Sequence, residues 1–404
     1  MTLSCIVLGA WVPTCAERNG TWPIQLVVGL PQIGFLLDTY GIPVCLLGIA
    51  GQVFAAHRLR IPARVNYVLA VTLAIAFCLF NEGLLLGGRQ GQRSELLGEW
   101  MPGLVQVWCF FCIAVGTLLL LADRLPRFNA SRRDFLRVST AAACSVPAAV
   151  FGAGIVTRKD FRVNELDIQF PNLPPDLHGL RLLQISDIHM SAFFSRNDLA
   201  RVVDACNELK PDLAFITGDL ITAERDPLDE CLVELGRLRS ATGVWGCMGN
   251  HEMYAGVQTY TKAKAMEYDM DFLRYERRLL KFGKSHLNVI GMDYHDWEDS
   301  IETIGELVAP GAFNLLLAHT PQVFRGSFGK GFQLTLSGHT HGGQINLELM
   351  GTNFNVVDFE TKYTKGLYRE HGSTIYVNSG LGTIGVPIRI GAPPEITVIR
   401  LCNS

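Results

Sequence analysis

The sequence is short of charge. Only 18% of its 404 residues are Asp, Glu, Lys or Arg, against 49% hydrophobic, and mean hydropathy is +0.22. That balance points to a membrane part beside any globular one. A basic excess is also missing. Net charge is −3 with pI near 6.4, so the electrostatic footprint of a nucleic-acid binder is absent. A disulfide framework is missing as well, because the 11 cysteines are odd in number and many fall inside apolar runs (Cys45, Cys78, Cys109, Cys112, Cys144). Cys109 and Cys112 have CxxC spacing, but within a charge-free run they read as two small apolar residues.

The apolar excess lies in the first 160 residues. Charge-free runs at 39–56, 65–81, 101–122 and 138–157 each approach the ~20 residues that cross a bilayer core. They predict about four transmembrane helices. The arginine-rich loops (Arg58, Arg60 and Arg64; Arg124, Arg127 and Arg133) would face the cytoplasm, placing everything after residue 157 outside. The expected location is therefore the bacterial inner membrane, multi-pass, with an extracytoplasmic C-terminal part. Residues 131–136, SRRDFL, resemble a twin-arginine export signal ahead of an alanine-rich stretch. Three units follow: a membrane region at 1–130, a signal or anchor helix at 131–158, and a globular domain at 159–404.

From residue 159 onward short apolar runs alternate with helical patterns at 195–209 and 229–238, the text of an α/β domain. Residues 261–282, with Arg274, Arg277 and Arg278, read as a solvated helix able to approach an anionic group. Five apolar runs end in metal-ligand residue types. LRLLQI (180–185) runs into Asp187 and His189, LAFIT (213–217) into Asp219, and GVWGCM (243–248) into Asn250, His251 and Glu252. NLLLA (314–318) runs into His319, and FQLTLS (332–337) into the glycine-rich stretch holding His339 and His341. Each ending alone has a plain reading as a turn, a helix cap or a loop histidine. Together they describe strand ends facing one crevice, where open α/β folds place their sites. The donors are carboxylate, imidazole and amide oxygen without thiolate, which suits Mn, Fe, Zn or Mg, and they outnumber the needs of one tetrahedral ion.

The ordered set D-x-H, G-D, G-N-H-E, a lone His and G-H-x-H resembles the calcineurin-like metallophosphoesterase superfamily over residues 179–344. The tail at 375–401 is similar to the ending of a membrane-associated bacterial branch that includes exported phosphoesterases and UDP-2,3-diacylglucosamine hydrolases. The resemblance implies a four-layer αββα sandwich with two divalent ions at the strand ends. Carried over residue by residue, one ion would be held by Asp187, His189, Asp219 and His341. The other would be held by Asp219, Asn250, His319 and His339. His251 would be the catalytic residue, protonating the leaving oxygen or hydrogen-bonding the phosphoryl group. The pattern departs where the family often has a second carboxylate after G-D, since Thr222 stands there. The implied activity is hydrolysis of a phosphate mono- or diester, lipid-linked esters included, at a membrane surface and without nucleic acid. The alternatives are a nucleotide-lipid pyrophosphate hydrolase and a transporter or sensor with a metal-binding accessory domain. The spans carry Glu82 as almost their only charge, which speaks against a solute pathway.

Overall fold

The structure is a computed structural model. It describes residues 42–58, 61–62, 65, 100–123, 146–147, 149–294, 297–349, 352–355, 357 and 361–404. Two of the expected spans have described helices, α1 (Ile42–Arg58) and α2 (Trp100–Asp123). They pack against each other through small residues: a Cβ added at Gly48 would stand 2.7 Å from Cys109 Cβ, and one at Gly51 2.5 Å from the Cys112 carbonyl oxygen. Val105, Cys109, Cys112, Val115 and Leu119 are buried. Burial pushes the Cys112 thiol up to about 11, which suits the small apolar reading of the CxxC pair.

The membrane expectation is overturned. Among the described residues no helix is long and apolar enough to cross a membrane. The transmembrane helices of the expected fold, and with them the multi-pass inner-membrane location, fall on that finding. Part of the reason is that one stripe of each helix, Val105 to Leu119 on α2, serves a helix pair, which a hydropathy count does not register. The rest of the 65–81 run, the first part of the 138–157 run, the orienting loops and the SRRDFL stretch lie outside the described residues.

The C-terminal part is α/β, as expected. One six-stranded sheet has the order β1 (Arg162–Phe170), β14 (Glu395–Asn403), β2 (Arg181–Ile185), β3 (Leu213–Thr217), β4 (Gly243–Cys247), β5 (Met270–Phe272). The other runs β12 (Gly366–Glu370), β13 (Ser373–Val377), β9 (Leu334–Ser337), β8 (Phe313–Leu317), β7 (Ser285–Gly291), β6 (Glu276–Phe282). Both are mixed. β2 to β5 are parallel, as are β7, β8, β9 and β13, whereas β14 meets β2, β6 meets β7, and β12 meets β13 in antiparallel register. A separate hairpin joins β10 (Asn346–Leu349) and β11 (Thr352–Asn355).

The period-2 alternation of the strands divides the core into layers. Leu182, Phe215 and Trp245 point from the first sheet toward Leu287, Leu315 and Leu336 of the second. Their neighbours Leu183, Ala214 and Val244 face the other way, onto helices α3 (Arg196–Glu208) and α4 (Leu228–Leu235). On the far side of the second sheet, Ile290 and Leu316 pack with Ile301 and Ile304 of α7 (Trp297–Gly305) and Val323 of α8 (Val323–Gly326). Central strands covered on both faces explain the continuous apolar runs LAFIT and FNLLL. α3 starts where Ser195 and Asp198 form a reciprocal capping box.

The expected helix at 261–282 is corrected. α6 (Gln258–Met266) ends early, and the rest becomes β5 and β6. Its arginines are engaged: Arg278 Nε donates to Asp271 at 2.7 Å, and Arg274 Nε to Asp293 at 2.7 Å. β6 alternates half-buried and exposed residues along an edge strand, and its two adjacent arginines disguised that period.

Candidate metal centre

Every donor named from the sequence sits just past the C-terminal end of a parallel strand. β2 delivers Asp187 and His189, and β3 delivers Asp219. From β4 comes α5 (Asn250–Tyr254), which carries Asn250 and His251 on its first turn. β8 delivers His319, and β9 delivers His339 and His341. To bring these side chains inward the backbone leaves its usual range. Asp187, His189, Asp219, His339 and His341 all have positive φ, from 45° to 72°. A non-glycine residue there is strained by ~1–2 kcal/mol, so five together mark a site where function overrides local preference. Close approach also requires glycine, because a Cβ at Gly249 would fall 2.1 Å from Asp219 Oδ1.

The side chains form two adjoining groups. In the first, His341 Nε2 lies 3.4 Å from Asp187 Oδ1 and 3.1 Å from His189 Nε2. In the second, Asn250 Oδ1 lies 2.9 Å from His339 Nδ1 and 3.1 Å from His319 Nε2. Asp219 stands between them, with Oδ2 at 3.0 Å from His319 Nε2 and 3.5 Å from His189 Nε2. Asp187, His189, Asp219 and His319 are all at most 2% exposed.

This donor set fits metal ions. Burial first, then the positive charge of neighbours, holds His189 down to about 3, and burial also holds His341 well below the usual imidazole range. Both rings are therefore neutral near pH 7. Their Nε2 atoms face each other beside carboxylates, and at most one proton can lie between them. Lone pairs converging in this way are satisfied by a cation. His319 differs: burial opposes its charge, but Asp219 and Asp187 outweigh that and raise it to about 10. Asp219, though buried, is held well below its usual range by the surrounding histidines, His319 foremost.

A further layer of contacts fixes these groups. His319 Nδ1 donates to the Thr217 carbonyl at 2.6 Å, so its Nε2 faces the site. Thr222 holds two histidines at once, with its hydroxyl 3.1 Å from His189 Nδ1 and its carbonyl 2.6 Å from His251 Nδ1. His251 Nδ1 is thus paired with a backbone oxygen, that of Thr222, where the resemblance implies a second carboxylate. Glu252 accepts from three amides, Asp219 N at 2.9 Å, Leu220 N at 2.7 Å and Gly249 N at 2.8 Å, and so ties the β3 loop to the β4 loop.

Sequence reasoning missed Arg389. Its guanidinium is 3% exposed, lowered to about 10 by burial, and donates to the carbonyls of Ser379 and Ala392 and toward His341 Nδ1 at 3.3 Å. An arginine among the glycines and prolines of the tail was its only trace. Tyr376, Asn378 and Ser379 serve packing, through Asn164, Thr397 and Glu395. Among the histidines outside the centre, His371 packs its ring 4.7 Å from that of Phe328, His286 lies on β7, and His295 is outside the described residues.

Comparison with known proteins agrees with this geometry. The family model for calcineurin-like phosphoesterases matches residues 180–343. The uncharacterized metallophosphoesterase YkuE of Bacillus subtilis is 31% identical over 68% of this chain and 98% of its own length. A bovine (Bos taurus) transmembrane protein with metallophosphoesterase domain is 28% identical over 83% of this chain and 80% of its own. A zebrafish (Danio rerio) protein of the same description is 29% identical over 76% of this chain and 73% of its own. The chain therefore belongs to the calcineurin-like metallophosphoesterases and is a hydrolase acting on phosphate ester bonds.

Proposed function

We propose that residues 159–404 form a dinuclear metallophosphoesterase that hydrolyses a phosphate mono- or diester. The observation that carries this reading is Asp219, whose carboxylate lies between two sets of histidines. One divalent ion is assigned to Asp187, His189, Asp219 and His341. The second is assigned to Asp219, Asn250, His319 and His339, with Asp219 shared. Nitrogen and oxygen donors without thiolate favour Mn, Fe, Zn or Mg. When bound, such ions supply Lewis-acid charge that activates water and offsets charge on the phosphoryl oxygens.

His251 is assigned to proton delivery at the leaving oxygen. A carbonyl can only accept, so Nδ1 carries the proton shared with Thr222, and Nε2 remains for substrate. The His251 backbone N–H donates to Asp219 Oδ1 at 3.0 Å, which fixes the ring beside the shared carboxylate. The test is a metal count on dialysed protein. Two Mn ions per chain in the parent, and fewer in Asp219→Ala, support the reading; one ion or none in the parent contradicts it.

A further inference from the structure

We propose that Tyr254 is a positioning residue of the metal centre, its hydroxyl holding the Asn250 amide with the oxygen turned inward. This rests on the assignment of Asn250 as a ligand. An asparagine amide has an oxygen and an NH₂ of nearly the same shape, and only the oxygen offers a lone pair to a cation. An unrestrained side chain could present either face. Here Oδ1 faces His339 Nδ1 and His319 Nε2, at 2.9 and 3.1 Å, which turns the NH₂ away from the site.

Tyr254 lies four residues after Asn250 on α5, so the two side chains share a face of the turn. Its phenol hydrogen-bonds both Asn250 and Tyr294. A phenol can donate or accept, and a donated proton would select the wrong amide orientation. In the proposed relay the Tyr254 O–H donates to the Tyr294 hydroxyl. Tyr254 is then left with lone pairs alone, and a lone pair selects the NH₂. The rings fit that relay: Tyr254 and Tyr294 are 6.2 Å apart at 76°, and Tyr294 lies 6.1 Å from His339. Tyr254 also meets His251 edge-on at 5.7 Å. Phenylalanine would keep this ring contact and lose only the hydroxyl.

The experiment is calorimetric titration of metal-free protein with Mn²⁺, using the parent, Tyr254→Phe, Asn250→Ala and the double variant. Circular dichroism and thermal melting confirm that each is folded. Loss of an outer partner of a ligand weakens metal binding by ~10–100-fold, so Tyr254→Phe should weaken one of two binding events by that factor and spare the other. In the Asn250→Ala background the same change should have no further effect. Unchanged affinity in Tyr254→Phe alongside a weakened Asn250→Ala overturns the proposal. So does an equal loss in both backgrounds, which would mean that Tyr254 acts by another route. An unaffected Asn250→Ala overturns the ligand assignment itself, and the proposal with it.

Discussion

Glu252 offers a stability test worked directly from contacts. Its carboxylate is fully buried and accepts from three backbone amides in two loops. Burial first, and the charge of Asp219 second, raise its pKa, while the amides favour the ionised form. Glu252→Gln keeps the shape and one oxygen. If that oxygen takes the place of Oε2, it retains the amides of Asp219 and Gly249, and the new NH₂ opposes the Leu220 N–H. One buried donor is then left unsatisfied, at ~1–3 kcal/mol, and the remaining bonds lose their charge assistance, so the total is about 2–4 kcal/mol. Glu252→Ala strands three donors and should cost about 3–9 kcal/mol, a large fraction of the ~5–15 kcal/mol that holds a domain together. Urea unfolding of the metal-free protein, followed by fluorescence of Trp245 in the inter-sheet core, reads both variants. A Glu252→Gln protein within ~0.5 kcal/mol of the parent would refute the reasoning, because it would mean that the carboxylate is already protonated or its bonds unimportant.

Three further outcomes follow from the same geometry. Gly249→Ala should abolish metal-dependent hydrolysis, because the new Cβ would stand 2.1 Å from Asp219 Oδ1 and 2.6 Å from its backbone nitrogen; full activity would contradict the close approach. In the metal-free protein, His319 is raised to about 10 against ~6.5 unfolded, so its stabilising contribution is complete below pH ~6.5 and lost as pH rises toward 10. Metal binding near pH 8 should accordingly release one proton from His319, measured by calorimetry in buffers of different ionisation enthalpy, and Asn in its place should remove that release. Trp245→Ala, in the core between the sheets, should cost ~3–5 kcal/mol in urea unfolding followed by circular dichroism.

The donors of the candidate centre were legible because each follows an apolar run that the fold buries on both faces, which places the next polar residues at a strand end. Their division into two groups entered through the family resemblance, and the distances around Asp219 are compatible with it. Arg389 and Tyr254 were not legible. Arg389 reaches His341 across 48 residues from a tail without periodicity, and Tyr254 hydrogen-bonds Asn250 and Tyr294 from a five-residue helix. The N-terminal apolar runs misled for a different reason: a count of hydrophobic residues registers their amount, and the partner they pack against is a tertiary fact. Residues 261–282 misled through composition, since charged residues suit an exposed helix and an edge strand alike.

The most direct test of the shared-carboxylate centre is hydrolysis of bis-p-nitrophenyl phosphate and p-nitrophenyl phosphate by metal-stripped protein resupplied with Mn²⁺. The account predicts turnover of at least one of them that rises with Mn²⁺ and disappears in a folded Asp219→Ala variant. Turnover by Asp219→Ala equal to that of the parent would contradict it.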